Sequence, residues 1–374
     1  MKEVNQPIFS PYHLPSGVSL NNRIMMAPMT IASSGSNGEV TEEELNYYGT
    51  RAQGLGAVIT SSALVSANGK MTPNGFAIDG DHLLPGLKQL ATAIQTSGTK
   101  AIVQLYHGGR LSPSALVPEG RVIAPSAIAA ARPGSPLPQA MTDEDINNVL
   151  DDFAEAVRRA IEAGFDGVEI HGANGFLLQQ FFSPHANRRE DQWGGTLAKR
   201  MAFPLEVIRR VKATVAAYAT SPFAVGYRIS PEENEKPGIT MQDTLQFLDV
   251  LAEQNLDYIH VSVDRFWAGP RGGSDSATSR IVMIQNHVGE RVPVIGVGGL
   301  YTPEDILAAL NTGVPLVALG HAMILNPNWA ELVQGGQENR IKTVISRSAQ
   351  AELAIPDGLW AMIMNVPGWF QVVD

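Results

Sequence analysis

The chain of 374 residues contains no cysteine. Disulfides, thiolate zinc sites and cysteine-ligated iron–sulfur clusters are therefore excluded. Basic charge is also scarce: 27 Lys and Arg stand against 37 Asp and Glu, a formal net charge of −10. The pairs Arg188-Arg189 and Arg209-Arg210 are isolated. A nucleic-acid surface needs a basic stripe, so no nucleic-acid partner is expected. No run of about 18 apolar residues could cross a membrane. The opening MKEVNQPIFSPYHLP lacks a signal-peptide core, so a soluble cytoplasmic protein is expected. Metal-ligand spacings are missing too, as is a glycine-rich G-x-G-x-x-G turn after the first strand. What is present is 44% hydrophobic and only 17% charged, enough for a large globular core.

Apolar runs and helical periodicities alternate along the chain. Arg23–Met29 reads as a first strand closed by Pro28, and Thr41 with Glu44 forms a capping box opening a helix to about Gln53. Further strands are expected at 57–63, 101–106, 167–172, 223–229, 258–263, 294–297 and 316–319. Helices are expected at 83–96, from Thr142 with Ile146, Val149, Phe153, Val157 and Ile161 on one face, and near 201–216, 241–254, 278–288 and 303–311. The proline-rich connection from His107 to Pro138 is long for a structureless loop unless it has a role. Apolar strands each followed by a helix point to the α/β class and a single (β/α)8 TIM barrel, with a doubly wound sheet as the alternative. One domain over 1–374 is expected, with the barrel core at about 20–335 and a C-terminal extension at 336–374. The apolar residues of that extension, Trp360 and Trp369 among them, could pack on the barrel or form a homo-oligomer contact.

Residues at the C-terminal ends of barrel strands converge on one site. Here they are Ala27, Pro28, Met29 and Thr30, then Ser62, Gln104, Tyr106, His171, Asn174 and Arg228, and finally Gly298, Gly299, Gly320 and His321. The set holds uncharged donors and acceptors and one buried cation. It has no carboxylate pair for glycoside hydrolysis and no lysine for a Schiff base. Such a set suits a flat heteroaromatic ligand with amide-like edges, and the strand-end glycines suit an anion.

The segment at 167–200, GVEIHGANGFLLQQFFSPHANRREDQWGGTLAKR, resembles the signature of the Old Yellow Enzyme family of FMN-dependent ene reductases. NRIMMAPMT, IVQLYHGGR, GVGGL and ALGHAMILNP extend the resemblance over Pro7–Trp329. It implies non-covalent FMN, NADH or NADPH as reductant, and a small-molecule electron acceptor such as an enone, quinone or nitro compound. Ala27 to Thr30 and Ser62 would line the flavin, and Gln104 and Arg228 would hold its pyrimidine edge. Gly298, Gly299, Gly320 and His321 would take the phosphate. His171 and Asn174 would bind the substrate oxygen.

Two positions depart from the family. His321 stands where Arg is usual, which makes FMN affinity dependent on a group that titrates near neutrality. Phe176 replaces the Tyr that donates a proton to the alkene, leaving Tyr106, on the same strand face as Gln104, as the expected acid. The alternatives are a flavin-free barrel enzyme and a non-catalytic FMN carrier.

Overall fold

The computed structural model describes residues 1–271 and 278–374. Eight strands close into a barrel: β1 (Ile24–Met26), β2 (Ala57–Leu64), β3 (Lys100–Tyr106), β4 (Gly167–Gly172), β5 (Ala224–Ile229), β6 (Tyr258–Val261), β7 (Val294–Val297) and β8 (Leu316–Leu319). Every neighbouring pair is parallel, and β8 returns to β1. Alternate side chains separate two apolar layers. Met25, Ala57, Ile59, Ile102, Tyr258 and Ile295 fill the interior, while their neighbours Ile24, Val58 and Val103 pack outward against helices. Leu14, Val18 and Leu20, from a hairpin ahead of β1, belong to the interior cluster.

The helices that follow are α1 (Glu42–Arg51), α2 (Leu84–Gln95), α3 (Asp143–Glu162), α4 (Leu177–Phe182), α5 (Leu197–Tyr218), α6 (Met241–Ala252), α7 (Arg280–Val288), α8 (Pro303–Leu310), α9 (His321–Leu325), α10 (Trp329–Gln334) and α11 (Asp357–Asn365). Capping boxes at Thr41/Glu44, Thr142/Asp145, Thr240/Asp243 and Thr302/Asp305 fix four helix starts. Helix α5 begins four residues before the expected start, because Thr196 caps it by accepting the Lys199 N–H. The first strand is shorter than its apolar run, since Pro28 has no N–H with which to extend the ladder. Strand β6 stops at Val261, short of the expected 263, as the chain turns so that the Phe266 N–H reaches the Gly298 carbonyl. The long connection after β3 is not structureless. It holds short 3-10 turns and a parallel strand pair, Ile123–Ala124 with Gln139–Ala140.

The C-terminal extension packs on its own barrel, with Leu359, Ile363 and Phe370 buried. Arg51, at the last position of α1, is fully buried and anchors it. Its guanidinium donates to the carbonyls of Tyr47, Met323, Ile324 and Leu353, and stacks 3.9 Å from the Tyr47 ring centroid. One cation thereby satisfies carbonyls at the end of α9 and in the extension. Replacing it strands those acceptors away from water. Arg51→Met should lower the unfolding free energy by roughly 3 kcal/mol in urea titration. A loss under about 1 kcal/mol would mean the carbonyls find other partners.

Candidate active site

Strand register assembles the site. Gln104 lies opposite Glu169 across β3 and β4, and His171 opposite Arg228 across β4 and β5. A bulge in β2 shifts the pairing between Ile59 and Ser62, so that Ser62 comes level with Gln104. Two connected cavities open over these strand ends. The smaller, about 230 Å³, is bordered by Ser62, Gln104, His171, Asn174 and Phe176. The larger, about 660 Å³, runs from Ala27 to Gly298, Gly299, Gly320 and His321. Pro28, Met29, Thr30 and Arg228 line both. Every residue expected at the site therefore borders this space, with one exception.

The exception is Tyr106. Its ring lies behind Phe176, centroids 5.1 Å apart, and its hydroxyl accepts the Met71 N–H at 3.4 Å. Phe176 and Met71 form the cavity wall in front of it. Burial pushes the phenol up to about 12. Sharing strand parity with Gln104 did not bring Tyr106 to the cavity lining, where Phe176 and Met71 stand instead. The expected proton donor is thus set back from the site.

His171 and Asn174 have their roles fixed by local bonds. His171 Nδ1 accepts the Ala173 N–H at 3.2 Å, which leaves the proton on Nε2. Burial, then the positive charge of Arg228, holds its pKa well below 6.5, so the ring is a neutral donor. Phe176 packs edge-on against it at 4.6 Å. Asn174 has a left-handed backbone, φ +56, and its Oδ1 accepts the Ser262 hydroxyl at 2.8 Å. Its side-chain NH₂ is the donor end left over.

Beneath them lies a buried polar network. Glu169 Oε1 accepts Gln104 Nε2 at 2.6 Å, and Oε2 lies 2.9 Å from His260 Nδ1. Glu169 and His260 are both fully buried. His260 was not singled out in the sequence; its period-2 position on β6 was the available signal. Gln104 turns its amide NH₂ to Glu169 and so keeps its carbonyl for a ligand N–H. Arg228 is 8% exposed, and its Nε has no partner among the described residues.

At the far end, Gly298 and Gly299 have φ of +116 and +66. A Cβ on Gly298 would come within 2.8 Å of the Arg265 nitrogen, so only glycine fits there. His321, expected from the sequence to titrate near neutrality, is packed against the C-terminal extension. Its ring packs 4.3 Å from Phe370 with the Tyr301 hydroxyl 3.3 Å from Nδ1, and burial lowers its pKa below 6.5. Arg265, unremarked in the sequence, borders the same end. His107 is a turn residue: its Nδ1 accepts the Gly109 N–H and its Nε2 lies 2.8 Å from Asn68 Oδ1. Among the loop residues after β6, Arg271 borders an outer cavity while Trp267 is half exposed; 272–277 lie outside the described residues.

These residues fit FMN. An unpartnered buried guanidinium and a free amide carbonyl face one end of the space, and positive-φ glycines face the other.

A model of the NADH:flavin oxidoreductase / NADH oxidase family matches residues 7–340. The chain belongs to this family. It is an oxidoreductase of the Old Yellow Enzyme type that carries FMN and uses a reduced nicotinamide. A probable NADH-dependent flavin oxidoreductase of Bacillus subtilis is 45% identical over 99% of both chains. An NADH:fumarate oxidoreductase of Klebsiella pneumoniae is 40% identical over 95% of this chain, which spans only 39% of that longer protein. Among solved structures, morphinone reductase superposes with a TM-score of 0.75 at 27% identity, covering 90% of this chain and 91% of its own.

The neutral state of His171 is directly observable. Nitrogen-15 NMR of histidine-labelled protein, assigned by loss in His171→Gln, should show an Nε2–H tautomer throughout about pH 6 to 8. Protonation should begin only as the pH falls well below 6.5, the direction of the shift. An imidazolium signature at neutral pH would contradict the donor role.

Proposed function

We propose that this chain passes hydride from NADH or NADPH to small electron-poor acceptors that carry an oxygen at His171 and Asn174. FMN, when bound, would supply a two-electron hydride carrier between the nicotinamide and the acceptor. The chain's residues do the rest. Gln104 and Arg228 hold the pyrimidine edge, with Arg228 opposing negative charge there. Ala27, Pro28, Met29, Thr30 and Ser62 form the adjoining wall. Gly298, Gly299, Gly320 and His321 hold the phosphate. His171 Nε2–H and the Asn174 amide donate to the acceptor oxygen and stabilise charge that develops on it.

The observation that carries this reading is the pair of donors left over at the end of β4. Each has its acceptor atom already occupied, by the Ala173 N–H and by the Ser262 hydroxyl. Both are therefore committed to donating, which suits a carbonyl, quinone or nitro oxygen. The same pair suits the carboxamide oxygen of the nicotinamide, so donor and acceptor take turns at one place.

Among the described residues the wall offers no carboxylic acid or phenol, since Phe176 stands in front of Tyr106. The proton for an alkene comes from solvent, and acceptors that protonate after hydride arrival are favoured over enones. Relatives whose names include fumarate and acrylate are more than twice the length of this chain.

Anaerobic mixing with NADH or NADPH should bleach the flavin's visible band in the purified protein, and a quinone should restore it. His171→Ala with Asn174→Ala should slow transfer by about 10²-fold or more. General acid catalysis is worth roughly 10² to 10⁴-fold, and Tyr106→Phe should show none of that loss with cyclohexenone. Phe176→Tyr should speed cyclohexenone more than the quinone. A flavin that neither nicotinamide bleaches would leave a carrier, not a reductase.

A further inference from the structure

The glycine end of the larger cavity raises a question of charge. A phosphate monoester has its second ionisation at about 6, so above neutrality it is close to a dianion. The N–H groups of Gly298 and Gly299 can bond its oxygens, yet they bring no full positive charge. His321 is poorly placed to bring one. Its ring packs against Trp369 and Phe370, with the Tyr301 hydroxyl at Nδ1, and burial lowers its pKa from 6.5. At about pH 8 even an unperturbed imidazole is essentially uncharged.

Among the described residues, two cations border this cavity, Arg228 and Arg265. Arg228 also borders the smaller cavity, at the other end of the space. Arg265 belongs to the turn after β6, and that turn is locked onto the glycine pair. The Phe266 N–H donates to the Gly298 carbonyl at 2.8 Å. A Cβ on Gly298 would come within 2.8 Å of the Val263 carbonyl and of the Arg265 nitrogen. The Arg265 side chain runs beside Gly299, its Cγ 3.9 Å from where a Cβ would stand there. Arg265 is exposed, and its guanidinium makes no hydrogen bond or ion pair among the described residues. Asp264 is exposed beside it and borders the same cavity. That carboxylate opposes a bound phosphate, which makes the neighbouring guanidinium matter more.

We propose that Arg265 binds the phosphate of FMN, supplying from the loop after β6 the positive charge that an Arg at position 321 would otherwise supply. The inference rests on FMN as the cofactor, with its phosphate at Gly298 and Gly299. A planar guanidinium matches two phosphate oxygens at once. Because the charge sits on an exposed side chain, its contribution is screened by salt.

The test titrates FMN and riboflavin into the full-length protein stripped of flavin, at about pH 8, by flavin fluorescence. Riboflavin carries the same ring and ribityl chain and no phosphate. In Arg265→Leu the FMN dissociation constant should rise about tenfold, the worth of one charge-assisted contact, while the riboflavin constant stays put. Arg265→Lys, which keeps the charge, should retain most of the preference for FMN. His321→Ala should leave that preference in place at this pH. Added salt should weaken FMN binding more in the wild type than in Arg265→Leu. Equal weakening of both flavins in Arg265→Leu would show a structural role and overturn the proposal. So would an unchanged FMN constant, or loss of the FMN preference in His321→Ala, which would assign the phosphate to the imidazole. Wild-type protein that binds neither flavin would overturn the FMN reading as well. A null result at Arg265 beside intact FMN binding would leave that reading standing.

Discussion

A carboxylate in the centre of the barrel holds the site together. Glu169 is fully buried on β4 and bonds Gln104 on β3 and His260 on β6, so one side chain ties three strands beneath the cavity. An isolated charge there would cost several kcal/mol. Desolvation pushes its pKa up, but His260, Arg228 and the Gln104 bond more than offset this and leave it below the ordinary value. Burial, opposed in part by Glu169, holds the His260 pKa below 6.5, and its Nδ1 lies against the carboxylate. The charge of the buried Arg228 also acts on this carboxylate.

That balance propagates upward. The charge of Arg228 and burial together keep His171 neutral, and its bond from the Ala173 N–H fixes which nitrogen donates. Gln104 is turned by Glu169 so that its carbonyl is free. The cavity-facing atoms of Gln104, His171 and Asn174 are therefore of fixed polarity. This is preorganisation for a heteroaromatic with alternating donors and acceptors, and for an oxygen that gains charge during reaction. Among the described residues that border the smaller cavity there is no carboxylic acid or phenol, and Phe176 packs against Tyr106.

Much of this was legible in the chain. The barrel followed from the apolar strands and intervening helical periodicities, and strand-end position alone collected Gln104, His171, Arg228 and the glycine pairs. What was not legible depended on tertiary geometry. Tyr106 has the parity of Gln104, yet parity does not reveal that Phe176, from the segment after β4, packs against its ring. His321 sits beside Phe370 and Trp369, almost fifty residues later in sequence, and that packing lowers its pKa. His260 and Arg51 gave single-residue signals no stronger than those of ordinary polar residues. Their importance comes from what the closed barrel places around them. Arg265 lies in the loop after β6, and only the closed barrel brings it beside the glycine pair.

The central claim is that Glu169 and Arg228 are opposing charges at one end of the bound flavin. Potentiometric titration of the flavin in wild type, Glu169→Gln and Arg228→Gln tests it most directly. Reduction adds negative charge, so removing the carboxylate should raise the midpoint potential and removing the guanidinium should lower it. Shifts of opposite sign are the expected result. Shifts of the same sign, or none in either variant, would contradict the account.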